Sequence, residues 1–156
     1  PIGNIIQIAM ITEKSDLAID ITQEVVVSAP IQQVYDGLLF RMAEGNKGPE
    51  DSAMPMVLER RPGGRWFRDL GEDAGHLWGH VQSIRPPTLL EIYGPLFISA
   101  PVSNNLLIRL TETDEGVSVV LKHTAHGPVQ DGWADGVSEG WAKWLADVKT
   151  DCEAGA

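Results

Sequence analysis

The sequence predicts an α+β domain in which a curved antiparallel sheet is covered on one side by a long C-terminal helix. Three observations carry that expectation. Apolar and polar residues alternate with period two through residues 17–27 and most of 56–124. Apolar positions recur at steps of three and four in two segments, a short one from Ile31 and a long one ending near Glu153. Turns rich in glycine, proline or acidic residues separate the period-two runs at hairpin spacing.

The first strand is read from Leu17, Ile19, Ile21, Val25 and Val27 set against Asp20, Thr22 and Glu24. It stops at Ser28-Ala29-Pro30, where the serine can cap and the proline can open a helix from Pro30 to Met42 whose apolar positions are Ile31, Val34, Tyr35, Leu38 and Leu39. Ala43 to Pro55 carries several breakers and reads as a loop with room for one short helical turn, the segment expected to be most mobile.

Met56 to Arg61, Pro62-Gly63-Gly64 and Arg65 to Leu70 read as strand, turn, strand, because glycine supplies the positive backbone angles of a tight turn. A second hairpin turn falls at Gly71 to Gly75. His76 to Arg85 is a strand stopped by Pro86-Pro87, and Leu89 to Tyr93 is the next. Asn105 to Thr113 and Val117 to Thr124 form a third hairpin around Asp114-Glu115-Gly116. In the closing segment, Asp131 to Glu153, the positions Trp133, Val137, Trp141, Trp144, Val148 and Cys152 share one helical face, while Asp135, Glu139, Lys143, Asp147 and Lys149 take the other. A bent sheet under such a helix can leave a cavity between them.

Composition narrows the function. The 156 residues include 12 basic and 22 acidic side chains, a net charge of −10 that repels polyanions and argues against nucleic-acid binding. No apolar run reaches the ~20 residues of a membrane span, so a soluble protein is expected. The single cysteine, Cys152, excludes an intrachain disulfide and an all-cysteine zinc site. A reducing, cytoplasmic setting with no cofactor is expected, and Pro1 fits removal of an initiator methionine. Residues 1–16 read as an extension outside the domain of residues 17–153. Its Ile2, Ile5, Ile6, Ile8, Met10 and Ile11 are apolar enough to dock on the sheet edge, over a cavity mouth or on a second subunit of a homodimer.

Three segments together resemble the START-like, polyketide-cyclase-like superfamily with the helix-grip fold, and within it most resemble the branch of heat-shock-protein ATPase activator homologues. The first is Ser28-Ala29-Pro30-Ile31-Gln32-Gln33-Val34-Tyr35-Asp36-Gly37-Leu38. The second is Arg61-Pro62-Gly63-Gly64-Arg65-Trp66 with Gly79-His80-Val81-Gln82-Ser83-Ile84-Arg85-Pro86-Pro87. The third is Leu121 to Gly127 leading to Gly140-Trp141 and Leu145. The likeness covers about Ile19 to Val148, with Val117 standing where many relatives carry Gly-Thr. It implies a sheet gripping the last helix around a ligand space, and the branch implies a protein partner.

Candidate chemistry is sparse. His76 and His80, four apart on a strand, stand ~13 Å from each other, too far to share a metal ion. No nucleophile elbow, phosphate loop or dinucleotide fingerprint is present, and Cys152 reads as a small core residue. His123 and His126 close the last strand, where a group titrating near neutral pH is a candidate general acid or base. Three of the five tryptophans lie on the last helix, where indole can wall a cavity or fill it. Gly132, Gly136 and Gly140 recur every four residues there, each costing up to ~1 kcal/mol against alanine. Close contact with the sheet is the favoured reason, a helix that loosens for a ligand the other.

The leading expectation is therefore a binder of a small apolar or aromatic molecule, using Tyr35, Trp66, Trp78, His80, Tyr93, His123, Trp133, Val137 and Trp141. A co-chaperone-like partner of another protein, and a cyclase-like or hydrolase-like enzyme working through His123 or His126, are the alternatives.

Overall fold

Alternation along the chain builds the sheet. In a computed structural model that describes residues 17–155, every second residue of the strand Gly116–His126 (β7) is buried, so Val117, Val119, Leu121, His123 and Ala125 form one inward row. The first strand, Ile19–Val27 (β1), pairs antiparallel with β7 from Ile19 opposite Ala125 to Val27 opposite Val117. On its other side β7 pairs with Ser103–Thr113 (β6), and the sheet continues through Leu89–Gly94 (β5), Ala74–Arg85 (β4), Arg65–Gly71 (β3) and the short Val57–Leu58 (β2). The seven strands run in the order β1-β7-β6-β5-β4-β3-β2, all antiparallel. Chain order and sheet order thus coincide from β2 to β7, and only β1 crosses over to pair with the last strand.

Two helices cover the inner face. The first, Ile31–Met42 (α1), begins at Pro30 with no side-chain cap. The expected serine cap does not form, because the N-cap position falls on Pro30, two residues beyond Ser28, whose backbone N–H donates to Glu153 Oε1 at 3.0 Å. The second helix, Trp133–Ala154 (α2), buries Trp141, Leu145, Val148 and Cys152 at steps of four, three and four. Fully buried side chains such as Leu38, Ile92, Leu121 and Leu145 contribute about 1.5–3 kcal/mol each.

The C-terminal half of α2 is fastened to its neighbours. Lys149 Nζ donates to the Val26 carbonyl at 2.6 Å, Gln33 Nε2 to the Cys152 carbonyl at 2.8 Å, and Arg41 pairs with Asp151 at 2.5 Å. In the N-terminal half, Trp133, Val137 and Trp144 stay partly exposed. The loop after α1 holds a single short helical turn, Pro49–Asp51, and is closed by an antiparallel bridge between Lys47 and Ala53. The two-residue turn at Glu72 and Asp73, with φ of 52° and 62°, joins β3 to β4. Met56 to Arg61, expected to be one strand, forms only the short β2. Beyond it the Glu59 N–H still donates to the Arg65 carbonyl at 2.9 Å, but the Glu59 carboxylate takes the return bond, accepting from the Arg65 backbone and guanidinium nitrogens at 2.8 Å to 3.0 Å. The expectations placed on residues 1–16 lie outside the described residues.

Candidate functional site

A cavity of about 510 Å³ opens between the N-terminal half of α2, the inner face of β3 and β4, and the loop after α1. All five tryptophans of the chain line it: Trp66, Trp78, Trp133, Trp141 and Trp144. They arrive by three local devices.

Trp66 faces inward on β3 and is held by its indole N–H, which donates to the Met42 carbonyl at 2.8 Å. Trp78 reaches the same face through a β-bulge. Trp66 pairs with Gly79 while Phe67 pairs with Leu77, so Trp78 is the extra residue of β4. The bulge brings its ring to 5.0 Å from that of Trp66, edge to face. Trp133, Val137, Trp141 and Trp144 descend from α2 at steps of four, four and three.

Phe97 sits at the centre of this cluster, with ring centroids 5.6 Å from Trp78, 5.7 Å from Trp133 and 6.1 Å from Trp141. It is placed by its neighbour Leu96, whose φ of 51° is a left-handed value rare for leucine. Burial of the Leu96 side chain and a 2.7 Å bond from its N–H to the Trp78 carbonyl hold that conformation.

Under the cavity floor runs a closed polar chain. Trp141 Nε1 donates to His123 Nδ1 at 3.0 Å, His123 Nε2 meets Asn104 Oδ1 at 2.7 Å, and Asn104 Nδ2 donates to the carbonyls of Gly94 and Pro95 at 3.1 Å. An indole N–H can only donate, so Nδ1 accepts and the proton resides on Nε2. The imidazole is neutral, and burial pushes its pKa down to about 4. With both nitrogens engaged inside the protein, His123 has none free to exchange a proton with a substrate.

Of the nine expected ligand residues, Trp66, Trp78, Trp133, Val137 and Trp141 meet at the cavity, and His123 lies directly behind Trp141. The other three are elsewhere. Tyr35 is on the buried side of α1 with its hydroxyl unpaired, and burial raises its pKa. His80 and Tyr93 occupy paired positions of β4 and β5 and stack on the outer face at 5.9 Å, with Tyr93 48% exposed. Strand alternation accounts for this, since Val81 and Ile92 next to them point into the core.

Phe97, Trp144, Met42, Asn46 and Lys47, with Gly132, Gly136 and Gly140, complete the lining and lie outside the sequence-based set. Trp144 was recoverable from its place three residues after Trp141. The loop residues carried no periodic signal.

The glycine stripe needs correction. A Cβ built at Gly136 or Gly140 meets no atom within 4 Å, so neither residue is there for close contact with the sheet. Both line the cavity, where the helix stands clear of the strands. Among the described residues no cluster of histidine, cysteine or acidic side chains is suited to hold a metal ion, and no helix is long and apolar enough to cross a membrane.

No protein-family model matches the sequence, and no curated protein matches it either. Solved structures do. Protein CV1439 from Chromobacterium violaceum superposes with a TM-score of 0.68 at 17% identity, over 86% of this chain and 97% of that one. The Aha1 dimer from Colwellia psychrerythraea gives 0.64 at 14% identity, over 88% and 98%. The di-domain ARO/CYC StfQ from the steffimycin biosynthetic pathway gives 0.65 at 16% identity, over 92% of this chain and 54% of that one. The architecture shared with these proteins, an antiparallel sheet closed by a long C-terminal helix, is the helix-grip fold.

Proposed function

We propose that this protein binds a small, flat, mostly apolar molecule in the tryptophan-lined cavity. One observation carries the reading: all five tryptophans surround a space of about 510 Å³ that the protein's own side chains leave open. That volume lies within the ~300–1,000 Å³ of sites for small organic ligands. Trp66 and Trp141 are buried while Trp78, Trp133 and Trp144 are half-buried, and a ligand covering their remaining apolar surface recovers about 25 cal/mol for each Å² removed from solvent.

Aromatic faces also select for shape. Edge-to-face pairs such as Trp66–Trp78 and Trp141–Trp144, at 5.0 Å and 5.6 Å, present rigid walls suited to planar rings. The fold likeness to StfQ, an ARO/CYC protein of a biosynthetic pathway, is consistent with ligand binding in general. A proton-transfer enzyme built on His123 has less support, since that ring is neutral and fully bonded within the fold. The alternative of a protein partner rests on the sequence resemblance and on the fold likeness to the Aha1 dimer.

The test is a thermal-shift and tryptophan-fluorescence screen of planar aromatic compounds against the native chain and a Gly136→Leu variant. A Cβ at Gly136 meets open space, so leucine there fills the cavity without disturbing the fold. Compounds that stabilise the native chain and lose their effect in Gly136→Leu are the expected result. Equal shifts in both proteins would end the assignment of the site.

A further inference from the structure

The aromatic cavity continues into a second, charged recess of about 370 Å³, and the two share Lys47, Gly140 and Trp144. Among the described residues Lys47 is the only charged side chain lining the aromatic cavity. In a chain with 22 acidic residues against 12 basic ones, a lone cation at that position is not what surface composition would place there.

The recess holds two further cations, and both are neutralised. Arg41 is paired with Asp151 at 2.5 Å, and Lys143 with Asp51 at 3.1 Å and Asp147 at 2.8 Å. Among the described residues Lys47 has no ion-pair partner. Asp51 and Asp147 are bonded to Lys143, Asp51 feels Lys47 only through space, and Glu50 lines the recess but not the aromatic cavity.

Lys47 is also held in place from behind. Its neighbour Asn46 is buried and donates through Nδ2 to the Met54 carbonyl at 2.9 Å. The Met54 N–H returns a bond to the Asn46 carbonyl at 3.0 Å, and Gly48 N–H donates to the Ser52 carbonyl at 2.8 Å. These bonds make the loop a small closed clasp that presents Lys47 where the apolar and charged recesses meet.

Resting on the small-molecule reading above, we propose that the ligand is a polycyclic aromatic acid, with its rings against the tryptophans and its carboxylate at Lys47. An ammonium facing a carboxylate at the mouth of an apolar cleft forms a charge-assisted hydrogen bond stronger than one to a neutral group. The carboxylate gives up little hydration there, because the recess is open to water.

The experiment compares an anthraquinone carboxylate with its uncharged carboxamide, by calorimetric titration of the native chain and of Lys47→Met and Lys47→Arg. The native protein should prefer the acid by about tenfold, Lys47→Met should lose that preference without weakening the amide, and Lys47→Arg should keep it. Equal affinity for acid and amide in the native chain, or a preference that survives in Lys47→Met, overturns the role of Lys47 and leaves the aromatic site standing. Binding of neither compound overturns both this inference and the small-molecule reading.

Discussion

The indole N–H of Trp141 donates to Nδ1 of His123 across 3.0 Å, joining the helix that roofs the cavity to the strand that floors it. His123 has no solvent exposure, and its other nitrogen is 2.7 Å from Asn104 Oδ1. Protonation of Nδ1 would set two donors against each other, at Trp141 and on the ring.

Stability should therefore fall in mild acid. His123 has a folded-state pKa of about 4 against an ordinary value of 6.5, so between those limits the unfolded chain binds a proton that the folded chain does not. The contribution is fully present above pH ~6.5 and is lost as pH falls toward 4, about 3 kcal/mol in all. Glu59, held at about 2 by its bonds to Arg65, loses its contribution in a lower window, from about 4.5 downward. Urea denaturation at pH 7.5, 5.5 and 4.5 should show a decline already at 5.5, and a flat profile over that range would contradict the buried neutral imidazole.

Asn104 closes the same chain from the other end. Replacing it with leucine strands the His123 N–H and removes the donor shared by the Gly94 and Pro95 carbonyls. Unpaired buried groups cost about 1–3 kcal/mol each, so Asn104→Leu should lose about 3 kcal/mol by chemical denaturation even though leucine is the more apolar residue. A neutral result would mean that the network contributes nothing to stability.

Most of the fold was legible in the sequence because each strand shows one clean face. β7 alternates without a fault from Gly116 to His126, and the stripe of α2 follows helical spacing through Cys152. The site was only partly legible, for local reasons. Trp78 and His80 are two apart and should share a face, yet the bulge at Trp78 turns one inward and leaves the other outside with Tyr93. Phe97 depends on the left-handed Leu96 before it, and Lys47 on a clasp of loop backbone bonds. Neither device leaves a periodic trace.

The two helices come into close contact where α1 carries a glycine. A Cβ at Gly37 would lie 2.6 Å from the Sγ of Cys152, inside any tolerable contact. Gly37→Ala should destabilise the protein by about 1–3 kcal/mol despite alanine's better helix propensity. In a Cys152→Ala background the clash is gone, and the same substitution should become neutral or stabilising. That reversal of sign in a double-mutant cycle separates direct steric contact from a general effect on α1.

Gly136 and Gly140 predict the opposite outcome on the facing helix. Their built Cβ atoms meet nothing within 4 Å, so alanine at either should stabilise α2 by up to ~1 kcal/mol through backbone entropy alone. Gly132 is not equivalent, because its φ of 78° is strained for alanine. If the glycines keep the cavity wall smooth for a ligand, Gly136→Ala and Gly140→Ala should raise the melting temperature while weakening the binding of planar aromatics. Stability and affinity would then move in opposite directions, as expected of positions kept for a site at the expense of the helix. Gain in stability with unchanged affinity would show that the ligand does not reach this face of α2.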